Sequence, residues 1–246
     1  MSHSQVTIKE GAFVISDAHY SSLRPQLLSL IQTIHSKLLK PTQLILMGDI
    51  FDALFGGVKH TQELNAEIIK LLNDISLDIE VVYLEGNHDF NLQNIFPNFK
   101  IFSLKNQPVA CSYKEKKIYL AHGDFDGGFG YLLYSSIIRN PLTLFILKTI
   151  DSLTSHTILK RLDKFLSKKD DCKNLKTFEE FISKRLNKKY DCDYFIEGHF
   201  HQNKHLKLEN FNYINLAAFA CNQRYFIVKS SKDKELLEEK IFSKGM

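Results

Sequence analysis

The sequence predicts an α/β protein, and three observations carry that prediction. Strand-like and helix-like patterns alternate through the N-terminal part of the chain. Strand signals return after a long, strand-poor helical stretch. Each of five strand-like runs is followed at once by aspartate, asparagine or histidine. Alternation of this kind implies a sheet with parallel strands and covering helices.

The elements follow in order. "AFVIS" (12–16) is a short apolar run that stops at Asp17. "LRPQLLSLIQTIHSKLL" (23–39) places Leu27, Leu30, Ile31, Ile34 and Leu38 at helical spacing. "QLILMG" (43–48) reads as a buried strand, "TQELNAEIIKLLNDI" (61–75) as a helix and "IEVVYLEG" (79–86) as a third strand. "ACSYKEKKIYLAHG" (110–123) reads as a hairpin feeding a fourth. From about Phe125 to Lys189 the pattern is helical, and "DYFIEGHFH" (193–201), "HLKLENFNYINLA" (205–217) and "RYFIVKS" (224–230) restore strands. "KDKELLEEKIF" near the C-terminus predicts a short helix with a charged outer face. The whole, 1–246, reads as a single domain with a helical lid inserted at about 125–189.

Composition narrows the class. With 44% hydrophobic and 24% charged residues, the chain resembles an ordinary globular protein. A net charge of +4 gives no ground to expect a nucleic-acid partner. The N-terminus lacks an apolar stretch that could serve as a signal peptide, so a cytoplasmic protein is expected. Cys111, Cys172, Cys192 and Cys221 form no C-x-x-C pair and read as free thiols in a reducing compartment. Residues 129–150 are long and apolar enough to suggest a membrane span, but Arg139, Asn140, Pro141 and Lys148 interrupt them, which favours two amphipathic helices.

The five strand tips carry the chemistry. They are "SDAHY" with Asp17 and His19, "GDIFD" with Asp49 and Asp52, "GNHD" with Asn87, His88 and Asp89, "AHGD" with His122 and Asp124, and "EGHFH" with His199 and His201. One such tip alone is more often a turn than a ligand. Five in succession, all at carboxyl ends of strands where ligands bind in open α/β sheets, point to one convergent site. Oxygen and imidazole donors without thiolate suit Mn, Fe or Zn. A shared carboxylate can bridge two such ions for phosphoryl displacement.

The ordered set D-x-H, G-D-x-x-D, G-N-H-D, H-G-D and G-H-x-H resembles the calcineurin-like metallophosphoesterases. That resemblance implies a four-layer αββα sandwich with a dinuclear site between two sheets. It assigns Asp17, His19 and His201 to a first metal, Asn87, His122 and His199 to a second, and Asp49 to the bridge. His88, oriented by Asp89, would stabilise phosphoryl charge or protonate the leaving oxygen. Asp52 and Asp124 would hold ligand imidazoles or loops, although Asp52 also reads as a simple turn carboxylate.

The insert bears on the substrate. Leu132, Leu133, Ile137, Leu142, Phe145, Ile146, Ile150 and Leu153 recur at helical spacing, and Lys160, Arg161, Lys164, Lys168, Lys169, Lys173 and Lys176 follow. Either the apolar positions pack as core and the charges are a solvated face, or the two form a surface for an anionic amphiphile or lipid. "GDIFDALFGG", "GNHDF" and "HGDFDGGFGYLLYSSIIRNP" are similar to motifs of the UDP-2,3-diacylglucosamine pyrophosphohydrolases of lipid A synthesis. Those enzymes usually carry Arg where this chain has His88. The resemblance implies two divalent ions, Mn first with Fe or Zn as alternatives, and a nucleotide-sugar lipid substrate. It also implies a peripheral position on the inner face of the cell membrane, and no obligate protein partner is evident. Arg139, Tyr131 and the Lys168/Lys169 pair are candidate substrate contacts. Another phosphodiesterase or phosphatase of the same fold is the alternative function. A non-catalytic binding module, which would be expected to lose ligands, and a nuclease are further alternatives.

Overall fold

A computed structural model describes residues 6–166, 170–229 and 236–243. The chain begins with β1 (Val6–Thr7), β2 (Phe13–Ile15), α1 (Gln26–His35), β3 (Gln43–Leu46) and β4 (Leu54–Phe55). It continues through α2 (Lys59–Leu64), α3 (Ala66–Ile75), β5 (Glu80–Leu84), β6 (Asp89–Phe90) and β7 (Lys100–Phe102). The hairpin β8 (Val109–Tyr113) and β9 (Lys116–Ala121) precedes four helices: α4 (Phe129–Arg139), α5 (Pro141–Leu153), α6 (Thr157–Leu166) and α7 (Phe178–Leu186). Then come β10 (Tyr194–Glu197), β11 (Lys204–Lys207), β12 (Asn212–Asn215), α8 (Phe219–Asn222), β13 (Arg224–Val228) and β14 (Leu237–Ile241).

Two six-stranded sheets result, ordered β1-β8-β9-β10-β12-β11 and β14-β13-β2-β3-β5-β7. The central parallel strands β2, β3 and β5 are buried on both faces, as parallel strands of an α/β protein must be. Val14, Ile45 and Val82 point from one sheet into a shared core with Ile118, Leu120, Ile196 and Ile214 of the other. The next residues along, Ile15, Leu46 and Tyr83, point outward to pack with Leu27, Leu30 and Ile31 of α1 and Ile68 and Leu72 of α3. On the far side, Phe195 and Tyr213 pack with Phe178, Ile182 and Leu186 of α7. The period-two alternation of each strand thus builds the helix–sheet–sheet–helix layers of the expected sandwich.

Register decides where the strand tips fall. β2 lies parallel to β3 with Ile15 beside Leu46, and β3 lies parallel to β5 with Leu46 beside Tyr83. In the other sheet β9 and β10 are parallel with Ala121 beside Glu197. All five chains therefore leave their sheets at the same edge, one to four residues before the predicted ligands.

Two expectations are corrected. Residues 237–241 form β14, paired antiparallel with β13, rather than a terminal helix. The residues are good helix formers, but the exposed edge of β13 supplies a partner and cross-strand ion pairs join Arg224 to Glu239 and Lys229 to Glu238. The four cysteines are not all free: Cys172 and Cys221 form a disulfide, while Cys111 and Cys192 remain buried thiols. The pair is 49 residues apart in sequence but has a Cα–Cα separation of 5.7 Å, within ordinary disulfide reach. Sequence spacing carries no trace of that proximity.

The insert folds as the helical pattern requires. Asn140 caps α5 by accepting from the backbone N–H of Leu142 and Thr143, with Pro141 at the first helical position. The Arg-Asn-Pro break therefore separates α4 from α5. No helix among the described residues is long and apolar enough to cross a membrane.

Candidate metal centre

Clusters of donor atoms stand at the common sheet edge. Asp17, His19 and His201 form one and Asp49, His122 and His199 another, each close enough for its atoms to share an ion, and a third group, His19, Asp52 and His88, overlaps the first. Asn87 Oδ1 lies 3.4 Å from His122 Nε2, which places it at the second cluster. His199 Nδ1 is 3.2 Å from the same nitrogen. Asp49 Oδ2 lies 3.4 Å from His122 Nε2 and 3.9 Å from Nε2 of His88, whose ring in turn packs edge-on against His19. All seven residues expected to bind metal are thus brought together, with Asp49 in the second group and facing His88 on the side of His19.

The backbone is bent to do this. Asp17, His19, Asp49, His199 and His201 all have positive φ, between 46° and 62°. Left-handed backbone is unfavourable for residues with a Cβ and concentrates where function needs it. At Gly86 the constraint is closeness: a Cβ there would stand 2.2 Å from Asp49 Oδ1. Only glycine lets the G-N-H-D loop pass so near the bridging carboxylate.

Hydrogen bonds fix the imidazoles. His122 Nδ1 donates to the Met47 carbonyl at 2.9 Å, and His201 Nδ1 to the Asp171 carbonyl at 2.5 Å. Each bond turns Nε2 toward a carboxylate, His201 Nε2 being 3.1 Å from Asp17 Oδ1. His19 Nδ1 lies 3.2 Å from Asp52 Oδ1, an ion-pair distance without hydrogen-bond geometry.

Electrostatics fit a cation. Burial opposes ionisation of Asp49, but His122 and His88 outweigh it and hold the carboxyl well below its ordinary range. Burial also opposes charge on His122, yet Asp49 raises it well above the usual imidazole value. His199, pushed down to about 4 by burial and by His122, is a neutral donor. Both ring nitrogens of His19, only 1% exposed, lack a hydrogen-bond partner within the protein. Buried polar atoms are normally satisfied, and an imidazole beside two carboxylates and a second imidazole is satisfied by a divalent ion.

The G-N-H-D stretch differs from expectation in one respect. Asp89 does not orient His88. Asp89 opens β6, one residue past the bend that holds His88, and its side chain is engaged elsewhere. Its carboxylate accepts from the backbone N–H of Asp49, Ile50, Phe51 and Gly86 and from the Tyr83 hydroxyl. The Asp52 carbonyl takes the orienting role, accepting from His88 Nδ1 at 2.9 Å. Burial, then the charge of Asp49, raises the Asp89 carboxyl to about 7. Asp89→Ala strands four N–H groups and a buried hydroxyl, and is expected to cost about 3–5 kcal/mol of stability in denaturant titration.

The substrate candidates separate. The Tyr131 hydroxyl donates to Asp124 at 2.5 Å, tying α4 to the strand tip instead of facing open space. Arg139 Nη2 donates to the Gly86 carbonyl at 2.8 Å, and its guanidinium sits 5.0 Å from the centre of the Phe90 ring. Its Nε and Nη1 are buried without a hydrogen-bond partner. Lys168 and Lys169 lie outside the described residues. Sequence reasoning missed Arg24 and Asp171. Arg24 Nη1 reaches Asp171 Oδ2 across 147 positions of sequence, and its Nη2 stands 3.7 Å from Asp52 Oδ1. Tyr83 was passed over as an ordinary strand residue.

Two facing sheets whose parallel ends hold paired aspartate–histidine clusters define a metal-dependent phosphoesterase. The chain belongs to the calcineurin-like phosphoesterases, whose family model matches residues 12–203. It is similar to the UDP-2,3-diacylglucosamine hydrolase of Pseudomonas fluorescens strain SBW25, 27% identical over 154 residues that make up 61% of each chain. The enzyme of the same name from Pseudomonas putida KT2440 is 25% identical over 61% of this chain and 63% of its own. Each alignment therefore covers less than two thirds of these curated relatives. Among solved structures, an archaeal phosphodiesterase is 14% identical with a TM-score of 0.46, covering 94% of this chain and 99% of its own. The phosphoesterase Yfce from E. coli is 13% identical with a TM-score of 0.46 and the same coverage.

Proposed function

We propose that the protein cleaves the pyrophosphate of UDP-2,3-diacylglucosamine to UMP and 2,3-diacylglucosamine 1-phosphate at a dinuclear centre, with Mn as the first choice of metal. The observation that carries this reading is the lid. Leu132, Leu133, Ile137, Leu142, Phe145, Ile146, Ile150 and Leu153 are 40% to 82% exposed. They do not serve as core, and an exposed apolar patch of this kind marks a lipid or protein contact. The same helices end on Arg139, which is hydrogen-bonded to the G-N-H-D loop of the metal site. A substrate with acyl chains on one end and a pyrophosphate on the other matches both features. The relatives named for this hydrolysis support the same substrate.

Bound divalent ions would neutralise phosphoryl charge and lower the pKa of the attacking water. Asp17, His19 and His201 would hold one ion and Asn87, His122 and His199 the other, with Asp49 as the shared carboxylate. His88 directs Nε2 toward the phosphoryl group while Nδ1 is fixed by the Asp52 carbonyl. Arg139, which stands 4.0 Å from Glu85 and 3.9 Å from Asp124, is the fork donor for a phosphate oxygen. The lid's apolar face and the basic residues that follow it favour a peripheral position at the inner face of the cell membrane.

The direct test is incubation with UDP-2,3-diacylglucosamine and Mn, Fe or Zn, following UMP release. No release with any metal, together with turnover of small diesters, would establish the alternative: a phosphodiesterase of the same fold for another substrate. Phe145→Ser is expected to lower kcat/KM on the lipid about 10- to 100-fold, the loss of one buried aromatic. Phe145 is 57% exposed, so folding and turnover of bis(p-nitrophenyl) phosphate should stay unchanged. Equal losses on both substrates would make the lid structural.

A further inference from the structure

The chain returning from the lid crosses the first metal cluster before it enters α7. Four contacts hold residues 171–175 there. The Asp171 carbonyl accepts from Nδ1 of the ligand His201 at 2.5 Å. Arg24 pairs with the Asp171 carboxylate. Gln202, next to His201, accepts from the Leu175 N–H at 2.7 Å and donates to the Lys173 carbonyl at 3.0 Å. The fourth contact is covalent: Cys172 is bonded to Cys221 of α8. α8 is itself anchored on the strand that delivers Asp17, with the Phe219 N–H on the Ser16 carbonyl at 2.9 Å and the Ala220 N–H on the Asp17 carbonyl at 3.1 Å.

The disulfide therefore joins the two backbone segments that position opposite sides of one cluster. One segment aims His201 and the other carries Asp17. Cys172 is exposed and Cys221 partly so, which leaves the bond open to solvent reductants. Exposed disulfides are the labile, regulatory kind, whereas those of secreted proteins are protected from reduction. In a reducing compartment a persistent structural disulfide is rare, and a reversible one is usually a sensor.

We propose that Cys172–Cys221 is a reversible redox latch that sets the occupancy of the first metal position through the Asp171–His201 hydrogen bond, an inference that rests on the dinuclear reading of the centre. In the closing direction the Cys172 thiolate attacks a low-molecular-weight disulfide such as oxidised glutathione. A mixed disulfide forms and one thiol leaves. The Cys221 thiolate then attacks Cys172 Sγ and displaces the second thiol. The protein gives up two electrons and two protons, and the oxidant is reduced to two thiols. A dithiol reductant runs the sequence backwards. With the bond open, residues 171–175 lose their covalent tie to α8, and the His201 ring loses its fixed orientation. Asp171 is a positioning residue here, since it acts on metal only through His201.

The test uses the full-length protein loaded with Mn, one sample oxidised with glutathione disulfide and one reduced with dithiothreitol. Alkylation followed by mass spectrometry reads the latch directly. The reduced sample should gain label at Cys172 and Cys221 and the oxidised sample at neither. Cys111 and Cys192 are buried, with thiols raised to about 12 and about 11 by that burial, so they stay unlabelled in both. After gel filtration the oxidised protein should retain two Mn per chain and the reduced protein one, with affinity at the weaker position lower by about 10- to 100-fold, the usual effect of losing a ligand's hydrogen-bond partner. Cys172→Ser should behave as the reduced form under both treatments, and circular dichroism checks that it is folded. Equal metal retention in the two states overturns the proposal, as does failure of the pair to oxidise. Absence of bound metal in both states overturns it together with the dinuclear reading. Metal retention is read without substrate, so a failed assay on UDP-2,3-diacylglucosamine leaves this result standing by itself.

Discussion

Asp49→Ala is expected to reduce turnover more than about 10³-fold and to leave less than one metal per chain. Three features concentrate the loss at this residue. On the proposed dinuclear reading Asp49 is the carboxylate shared by both ions, so its removal would take a donor from each. It lies buried just past the end of β3 with a backbone φ of 50°. Its Oδ1 also accepts from the His88 N–H at 2.8 Å, so the G-N-H-D loop loses an anchor as well. Elemental analysis of the desalted variant and turnover of a generic phosphodiester check both parts, with circular dichroism to confirm the fold. Two retained metals with near-normal turnover would falsify the bridging role. Asp49→Asn sharpens the result: it keeps the shape and the Oδ1 acceptor but loses the charge, and should retain the fold while binding metal weakly.

The convergence of the candidate ligand residues was legible because each lies within four residues of a strand's end. A run such as "QLILMG" shows both where β3 ends and which carboxylate comes next. Parallel register then brings Asp17, Asn87, His122 and His199 to the same edge without further information. What surrounds the ligands was not legible. Asp171 orients His201 through a backbone carbonyl, which no side-chain pattern encodes, and Arg24 reaches it from far away in sequence. The disulfide failed to show for the same reason. The role of Asp89 was not legible because adjacency in sequence suggests contact with His88, whereas its partners are backbone N–H groups of the distant Asp49–Phe51 loop and the Tyr83 hydroxyl. β14 was misread because Leu, Glu and Lys favour helix locally, and only the free edge of β13 turns them into a strand.

His88 carries the second large effect and also the distinction between two chemistries. His88→Ala is expected to lower kcat about 10²–10³-fold, about 3–4 kcal/mol of barrier, while both metals stay bound and KM changes little. Its Nδ1 is fixed by the Asp52 carbonyl and its Nε2 stands 3.9 Å from Asp49 Oδ2, at the edge of the centre but in neither of the two predicted ligand sets. Substitution by arginine separates the two roles open to that nitrogen. A guanidinium is charged at all working pH values, so it can stabilise a phosphoryl oxygen but cannot pass a proton to a leaving group. The leaving group of a pyrophosphate is itself a phosphate, stable without protonation, and the resembling lipid A enzymes usually carry arginine at this place. His88→Arg is therefore expected to recover most of the activity lost in His88→Ala on UDP-2,3-diacylglucosamine. On a diester with an alkoxide leaving group, which does need a proton, it should recover little. Recovery on neither substrate would assign His88 to proton transfer and move the protein toward a phosphodiesterase of another substrate class.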